Sequence, residues 1–159
     1  MDEAKGQVTG SPPVATEGAG SLVLGSMPGE ASLKLQQYYG HPRNHFWRLL
    51  YALLEGGEPP ADYGERLRFA QSRGIALWDV LRACERQGSL DSAIRKPETN
   101  DFTALFRQYP GIRCVFFNGT AAADFYRRHV FRRPWKGLPL RTPCFLRPAR
   151  PGLCRSKPS

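Results

Sequence analysis

The 159 residues contain no CxxC pair and nothing approaching 18 uninterrupted apolar residues. Their N-terminus has neither a basic n-region nor an apolar h-region. The absence of a long apolar run excludes a membrane-spanning helix, and the N-terminal composition excludes a secretory signal, so the expected address is cytoplasmic. Four scattered cysteines, Cys84, Cys114, Cys144 and Cys154, give no disulfide framework and no zinc knuckle, and are read as buried thiols. Histidine is scarce too. His41 and His45 stand close together with no clear third ligand, so no metal is expected. Acid is missing from Arg127 to Ser159, where ten Lys and Arg accumulate. That imbalance holds the whole net charge of +9 and leaves the first 126 residues at about −1. A basic chain ordinarily suggests a polyanionic partner, but charge confined to one end weakens the inference for the rest.

What is present is enough for one domain: 41% of the residues are hydrophobic, which supplies a single core at this length. Residues 1–20, rich in Gly, Pro, Ser, Thr and Ala without periodicity, read as a disordered leader. Residues 21–141 form the expected domain, and residues 142–159 an irregular tail. Within the domain, Leu22-Val23-Leu24 is a short apolar run closed by Gly25, Pro28 and Gly29, hence a buried strand meeting a tight loop. Apolar residues Phe46, Trp47, Leu49, Leu50 and Leu53 recur at helical spacing, with Asn44 placed as N-cap of a helix over 44–54. A helix over 63–72 stopped by Gly74, a strand over 75–81 and a polar stretch containing GSLDS follow. Then come a helix capped by Asn100 or Asp101, a strand over 112–117 closing on Asn118-Gly119, and a helix over 120–128. Strands alternating with helices at this spacing predict an α/β fold, a three-layer α/β/α sandwich around a short central parallel sheet, with its C-terminal part missing.

The densest signal is GSMPGEASLKLQQYYGHPRNHFW, residues 25–47. A loop at the C-terminal end of a parallel strand is a favoured ligand site. This block resembles the hypoxanthine-DNA glycosylase branch of the uracil-DNA glycosylase superfamily. Mismatch-specific and thymine-DNA glycosylases share its GxxPG loop followed by NHFW. GIALWDVL (74–81), GSLDS (88–92), NDF (100–102) and FNGTAA (117–122) extend the likeness over residues 22–140.

The resemblance implies a monofunctional DNA glycosylase that hydrolyses the N-glycosidic bond of a deaminated base, hypoxanthine first and uracil second. Its partner is double-stranded DNA with the nucleotide flipped out, and it acts as a monomer without a cofactor. Such chemistry needs a grip on the base, stabilisation of an oxocarbenium-like sugar and a positioned water. Backbone N–H groups of Gly25, Ser26, Met27, Pro28 and Gly29 as a loop, proline lacking its own, would take up charge on the departing base. In many relatives the third loop position is an Asn or Asp that handles the water; here it is Met27, which cannot. The branch instead implies Asn44 as the catalytic residue, orienting water rather than abstracting a proton, because an amide has no useful basicity. Tyr39 matches the aromatic that stacks on the base in thymine-specific relatives, and Asn118 is a further candidate contact. Some members of the superfamily carry an iron–sulfur cluster, but the close N-terminal cysteine pair that it needs is absent. No lysine is placed for a Schiff base, Lys34 being a surface residue.

Pattern alone gives plainer readings. Asn44 is first of all a helix cap, Gly25 and Gly29 make a tight turn, and Phe46 and Trp47 are core aromatics. Asp79 and Asp91 read as structural caps or turn residues, and Arg43 serves a phosphate or only solvent. Two other functions remain open: a mismatch-specific uracil or thymine glycosylase, and a catalytically silent remnant.

The second alternative arises from the tail. Relatives carry a second DNA-contacting segment of the type LPSTSPA near the C-terminus, where this chain reads TPCFLRPARPGLCRSKPS. Read from the third base of the Cys144 codon, the shifted triplets NTT, NCT, NCG, NCC, NGC, NCG and NCC can spell Leu-Pro-Ser-Thr-Ser-Pro-Ala. A frameshift between Arg141 and Cys144 is therefore expected, making the basic tail a translation by-product; a native basic tail that grips phosphate is the other reading.

Overall fold

The computed structural model describes residues 6–131 and the backbone of residues 143–144. Its centre is a parallel sheet of four strands in the order β3-β2-β6-β7: β2 (Ser21–Gly25), β3 (Ile75–Asp79), β6 (Cys114–Phe117) and the short β7 (Pro143–Cys144). Successive side chains on a strand point to opposite faces, yet Leu22, Val23 and Leu24 are all buried, as are Ala76, Leu77 and Trp78. Both faces of the sheet are therefore covered, the condition for a parallel sheet between helical layers. The expected α/β class is met.

Helices α1 (Glu30–Leu35), α2 (Phe46–Leu54), α3 (Tyr63–Ser72), α4 (Phe102–Gln108) and α5 (Thr120–Phe125) connect the strands. Helix α3 packs on β3, and α5 packs on β2 and β6. Helix α2 locks onto α3 through Tyr51 stacked on Phe69 at 4.0 Å and Trp47 edge-on to Tyr63 at 6.3 Å. Phe102, Phe117 and Tyr126 form an aromatic cluster behind β6. The last helix, expected to run evenly over 120–128, instead widens into a π-turn at Tyr126–Val130. Helix α3 begins on Asp62, whose carboxylate accepts from the Glu65 N–H, and α4 on Asp101, whose carboxylate accepts from the Ala104 N–H. Helix α2 starts later than its apolar spacing suggests. His45 is its cap, and Asn44 lies one residue upstream with Oδ1 accepting from the Phe46 N–H at 2.9 Å.

Two features were not legible. A second, antiparallel sheet, β1-β4-β5, joins β1 (Gln7–Thr9), β4 (Leu81–Glu85) and β5 (Arg95–Thr99). The strand expected over 75–81 breaks at Val80, where the chain passes from one sheet to the other. The leader expected to be disordered over 1–20 is, from residue 6 onward, part of the domain. β1 pairs with β4, Val14 forms a bridge with Leu77 on the free edge of β3, and Ala19 is 2% exposed. Backbone pairing asks for no hydrophobic pattern, so composition could not reveal it. The segment also satisfies two core side chains: the Trp78 indole N–H donates to the Ser11 carbonyl at 3.2 Å, and the Tyr38 hydroxyl to the Pro12 carbonyl at 2.5 Å.

Deleting residues 1–13 leaves both donors without those acceptors, and an unpaired buried polar group costs about 1–3 kcal/mol. Urea unfolding of the shortened chain is expected to show a loss of at least about 2 kcal/mol. Equal stability of the two forms would mean that the segment is dispensable.

Candidate active site

Three parallel strands end side by side, β2 at Gly25, β3 at Asp79 and β6 just before Asn118, and all three of these residues line one cavity of about 260 Å³. The C-terminal edge of a parallel sheet is where open α/β folds place ligands. Residues 25–29, Tyr39 and Asn44 line the same cavity, so the candidate residues named from sequence are brought together.

The loop over residues 25–29 is held by its carbonyls. Gly25 and Ser26 accept from the Val80 and Leu81 N–H groups at 2.8 and 3.1 Å, Pro28 from Arg86 Nη2 at 2.5 Å, and Gly29 from the Leu33 N–H at 3.0 Å. No peptide bond here is cis, so each N–H points opposite to the preceding carbonyl. The N–H groups of Ser26, Met27 and Gly29 therefore face away from the scaffold donors, the orientation that a site for developing negative charge requires. GSLDS straps the loop from outside: Ser26 Oγ donates to Asp91 Oδ1 at 2.5 Å, and the Glu30 N–H donates to Ser89 Oγ at 2.9 Å. The Met27 side chain is turned into the core, 6% exposed, which leaves its backbone as its contribution.

Tyr39 has the left-handed φ of 56°, rare for an aromatic residue. Its neighbour Tyr38 anchors it, with the N–H donating to Tyr63 Oη at 2.9 Å and the carbonyl accepting from the Trp47 indole at 3.0 Å. One face of the Tyr39 ring stacks on Phe46 at 3.9 Å. Its hydroxyl is sealed from water without a hydrogen bond of ordinary geometry, and Asn118 is the side chain placed to offer one. Burial raises the Tyr39 phenol, the Asp79 carboxyl raises it further, and Asn118 pulls it the other way. Asn44 is exposed at the junction between loop and α2. With one lone pair of Oδ1 held by the Phe46 N–H, a second lone pair and the amide donors stay open to a water.

Sequence reasoning treated Asp79 and Asp91 as structural, yet both line the cavity. Asp79 is 4% exposed, and its Oδ2 finds no hydrogen-bond partner among the described residues. Burial first, and then the negative charge of Asp91, push its carboxyl from 3.8 up to about 7, with the Arg86 guanidinium pulling it down. The signal that could have flagged it is its place at the end of a strand, parallel to and in register with the one that ends on Gly25. Buried Arg86 carried no signal at all. Among the described residues no group of three His, Cys, Asp or Glu side chains could hold a metal ion. His41, Arg43 and His45 are exposed on the loop before α2, and Lys34 on α1. No helix among the described residues is long and apolar enough to cross a membrane.

The same α/β arrangement recurs in a solution NMR structure from Methanosarcina acetivorans described as that of a candidate uracil DNA glycosylase. It superposes with a TM-score of 0.69 at 38% identity, over 77% of this chain and 75% of that one. Two curated proteins named hypoxanthine DNA glycosylase are similar as well. That of Methanosarcina barkeri is 40% identical over 116 residues, and that of Methanosarcina acetivorans 42% over 117, each match covering 73% of both partners. No protein-family model matches the chain. At this identity and coverage the chain belongs to the hypoxanthine-DNA glycosylase branch of the uracil-DNA glycosylase superfamily, as its motifs had suggested.

The buried carboxyl has a consequence for stability. Folded, Asp79 keeps its proton up to about pH 7, whereas the unfolded chain releases it near 3.8. Its contribution is thus intact below about pH 4 and is lost as pH rises through 7, by as much as about 4 kcal/mol. Asp79→Asn removes that loss, so its melting temperature relative to the parent should be higher at about pH 8 than at about pH 5. A difference that does not change with pH would contradict the burial of the acid.

Proposed function

We propose that this chain hydrolyses the N-glycosidic bond of a deaminated base in double-stranded DNA, hypoxanthine first and uracil second, as a monofunctional cytoplasmic monomer that leaves an abasic site. The observation that carries this reading is the convergence of the loop over 25–29, Tyr39 and Asn44 on one cavity sized for a single base. The names of the two curated relatives support the order of substrates.

In this mechanism the target nucleotide leaves the stack and its base enters the cavity. Tyr39, already backed on one face by Phe46, offers the other face of its ring to the base. The loop N–H groups of Ser26, Met27 and Gly29 take the charge that builds on the base as the bond stretches. Asn44 holds the attacking water through Oδ1 and supports the positive sugar with its amide dipole. Asn118, which lines the cavity as well, contacts the base or the adjoining backbone. The family's second DNA-contacting segment falls on the tail, which apart from the backbone of residues 143–144 lies outside the described residues, and we propose that a frameshift near residues 141–144 has replaced it.

Single-turnover excision on duplexes containing deoxyinosine or deoxyuridine tests this reading. Asn44→Ala should slow excision roughly a hundred- to a thousand-fold, the loss of one positioned polar group of about 3 kcal/mol. An unchanged rate would remove Asn44 from the mechanism. Excision only by a version with its tail restored to the LPSTSPA frame would identify this chain as a silent form of a glycosylase. Excision by neither would overturn the function.

A further inference from the structure

The mechanism above leaves the buried carboxyl of the cavity without a task. Asp79 stands at the end of β3 opposite Gly25 of β2, lines the base-sized cavity, and is 4% exposed. Its position is over-determined. The Asp79 carbonyl accepts from Asn100 Nδ2 at 2.8 Å, and an added Cβ on Gly25 would stand 2.5 Å from Asp79 Oδ1. Oδ2 has no hydrogen-bond partner among the described residues, and no ion pair closes on the carboxyl there, the one hydrogen bond of the buried Arg86 guanidinium going from Nη2 to the Pro28 carbonyl. A buried carboxyl oxygen left without a partner beside an open cavity calls for one that arrives with the ligand.

We propose that Asp79 reads deamination itself, donating a hydrogen bond as a neutral carboxylic acid to the carbonyl that replaces the exocyclic amine of adenine or cytosine. This rests on the glycosylase reading and adds the determinant of specificity. Adenine presents an N–H donor at that position, and hypoxanthine presents a carbonyl acceptor. Cytosine and uracil differ in the same way, so one donor serves both substrates. An ionised carboxylate reverses the preference, repelling the carbonyl and accepting from the amine of the undamaged base.

The surroundings keep the acid neutral. Facing it are the Asp91 carboxyl of the short helix Asp91–Ala93, the phenols of Tyr38 and Tyr39 from the loop after α1, and the Arg86 guanidinium after β4. Of these only Arg86 favours ionisation, and burial outweighs it, which places the change of charge near neutral pH.

The test is equilibrium binding of the full chain to a duplex carrying 2′-fluoro-2′-deoxyinosine, whose glycosidic bond resists hydrolysis, and to the same duplex carrying adenine, at constant salt. The ratio of the two affinities cancels every group that alters binding to the two duplexes alike. Between about pH 6 and pH 8 the wild-type preference for the inosine analogue should fall about tenfold, following the neutral fraction of Asp79. Asp79→Asn carries a donor that does not titrate, and should hold its preference within about twofold over that range. A flat wild-type profile overturns the proposal whether or not the variant folds, and so does a fall of equal size in both proteins. Absence of any preference for the analogue at every pH would instead overturn the glycosylase reading on which the proposal rests.

Discussion

Everything at the site depends on how closely two strands come together. β2 and β3 run parallel and in register until Gly25 meets Asp79, where a Cβ on residue 25 would stand 2.5 Å from the carboxyl oxygen and 3.4 Å from the Tyr39 hydroxyl. A side chain at residue 25 would have to displace the Asp79 carboxyl from its place. The same contact makes Val80 and Leu81 donate to the carbonyls of Gly25 and Ser26. The loop that follows β2 is thus fixed by the strand beside it before any ligand arrives. Preorganisation of this kind separates a site for developing charge from a flexible loop, since donors already aimed need no reorganisation at the moment of reaction.

Holding that geometry is expensive. A carboxyl and a guanidinium are both 4% exposed, Arg86 keeps Nε and Nη1 unpaired among the described residues, and Tyr39 occupies a backbone conformation that aromatic side chains rarely adopt. A neutral structural protein has no use for such features. They are tolerated because the surrounding core over-determines them. Leu22, Leu24, Leu77 and Val115 are fully buried, Trp47 and Tyr63 pin Tyr38, and the segment over 6–19 closes the outer edge of β3. Stability is carried by the apolar sheet, and the polar cavity is placed where that sheet ends.

This division also explains what the amino-acid sequence made legible. Leu22-Val23-Leu24 and the run that holds Cys114–Phe117 are strands whose local pattern agrees with their tertiary role, and Asp101, one of the two caps expected for its helix, does cap it. The cavity loop was equally open to reading, because Gly25, Pro28 and Gly29 have conformational signatures of their own. The antiparallel sheet and the ordered segment from residue 6 were not, since both are made by backbone pairing between distant stretches that carry no period. The burial of Asp79 beside the cavity was hidden for a related reason. Next to hydrophobic neighbours an Asp looks like a turn residue, and only the register with Gly25 shows that it is buried beside an open cavity. Arg86 becomes intelligible only through Pro28, 58 positions away in the chain.

The charge distribution bears on how such a site meets DNA. Residues 6–131 carry fourteen Lys and Arg against twelve Asp and Glu, close to balance, while residues 132–159 carry eight basic residues and no acid. Phosphate attraction scales with the cations that reach the backbone, so a nearly neutral domain must bind through oriented hydrogen bonds and the cavity rather than by bulk electrostatics. A native tail would add the missing attraction and a steep dependence on salt. A frameshifted tail would add the same cations without the geometry of the segment that they replaced, raising affinity for any duplex alike and diluting discrimination between a damaged nucleotide and its neighbours. The short β7 lies against β6 with Pro143 and Cys144 beside Val115 and Phe116, so the reading frame is in question where the sheet's last strand is laid down. Whether the charge of this chain aids recognition of DNA is therefore decided by the codons around Cys144.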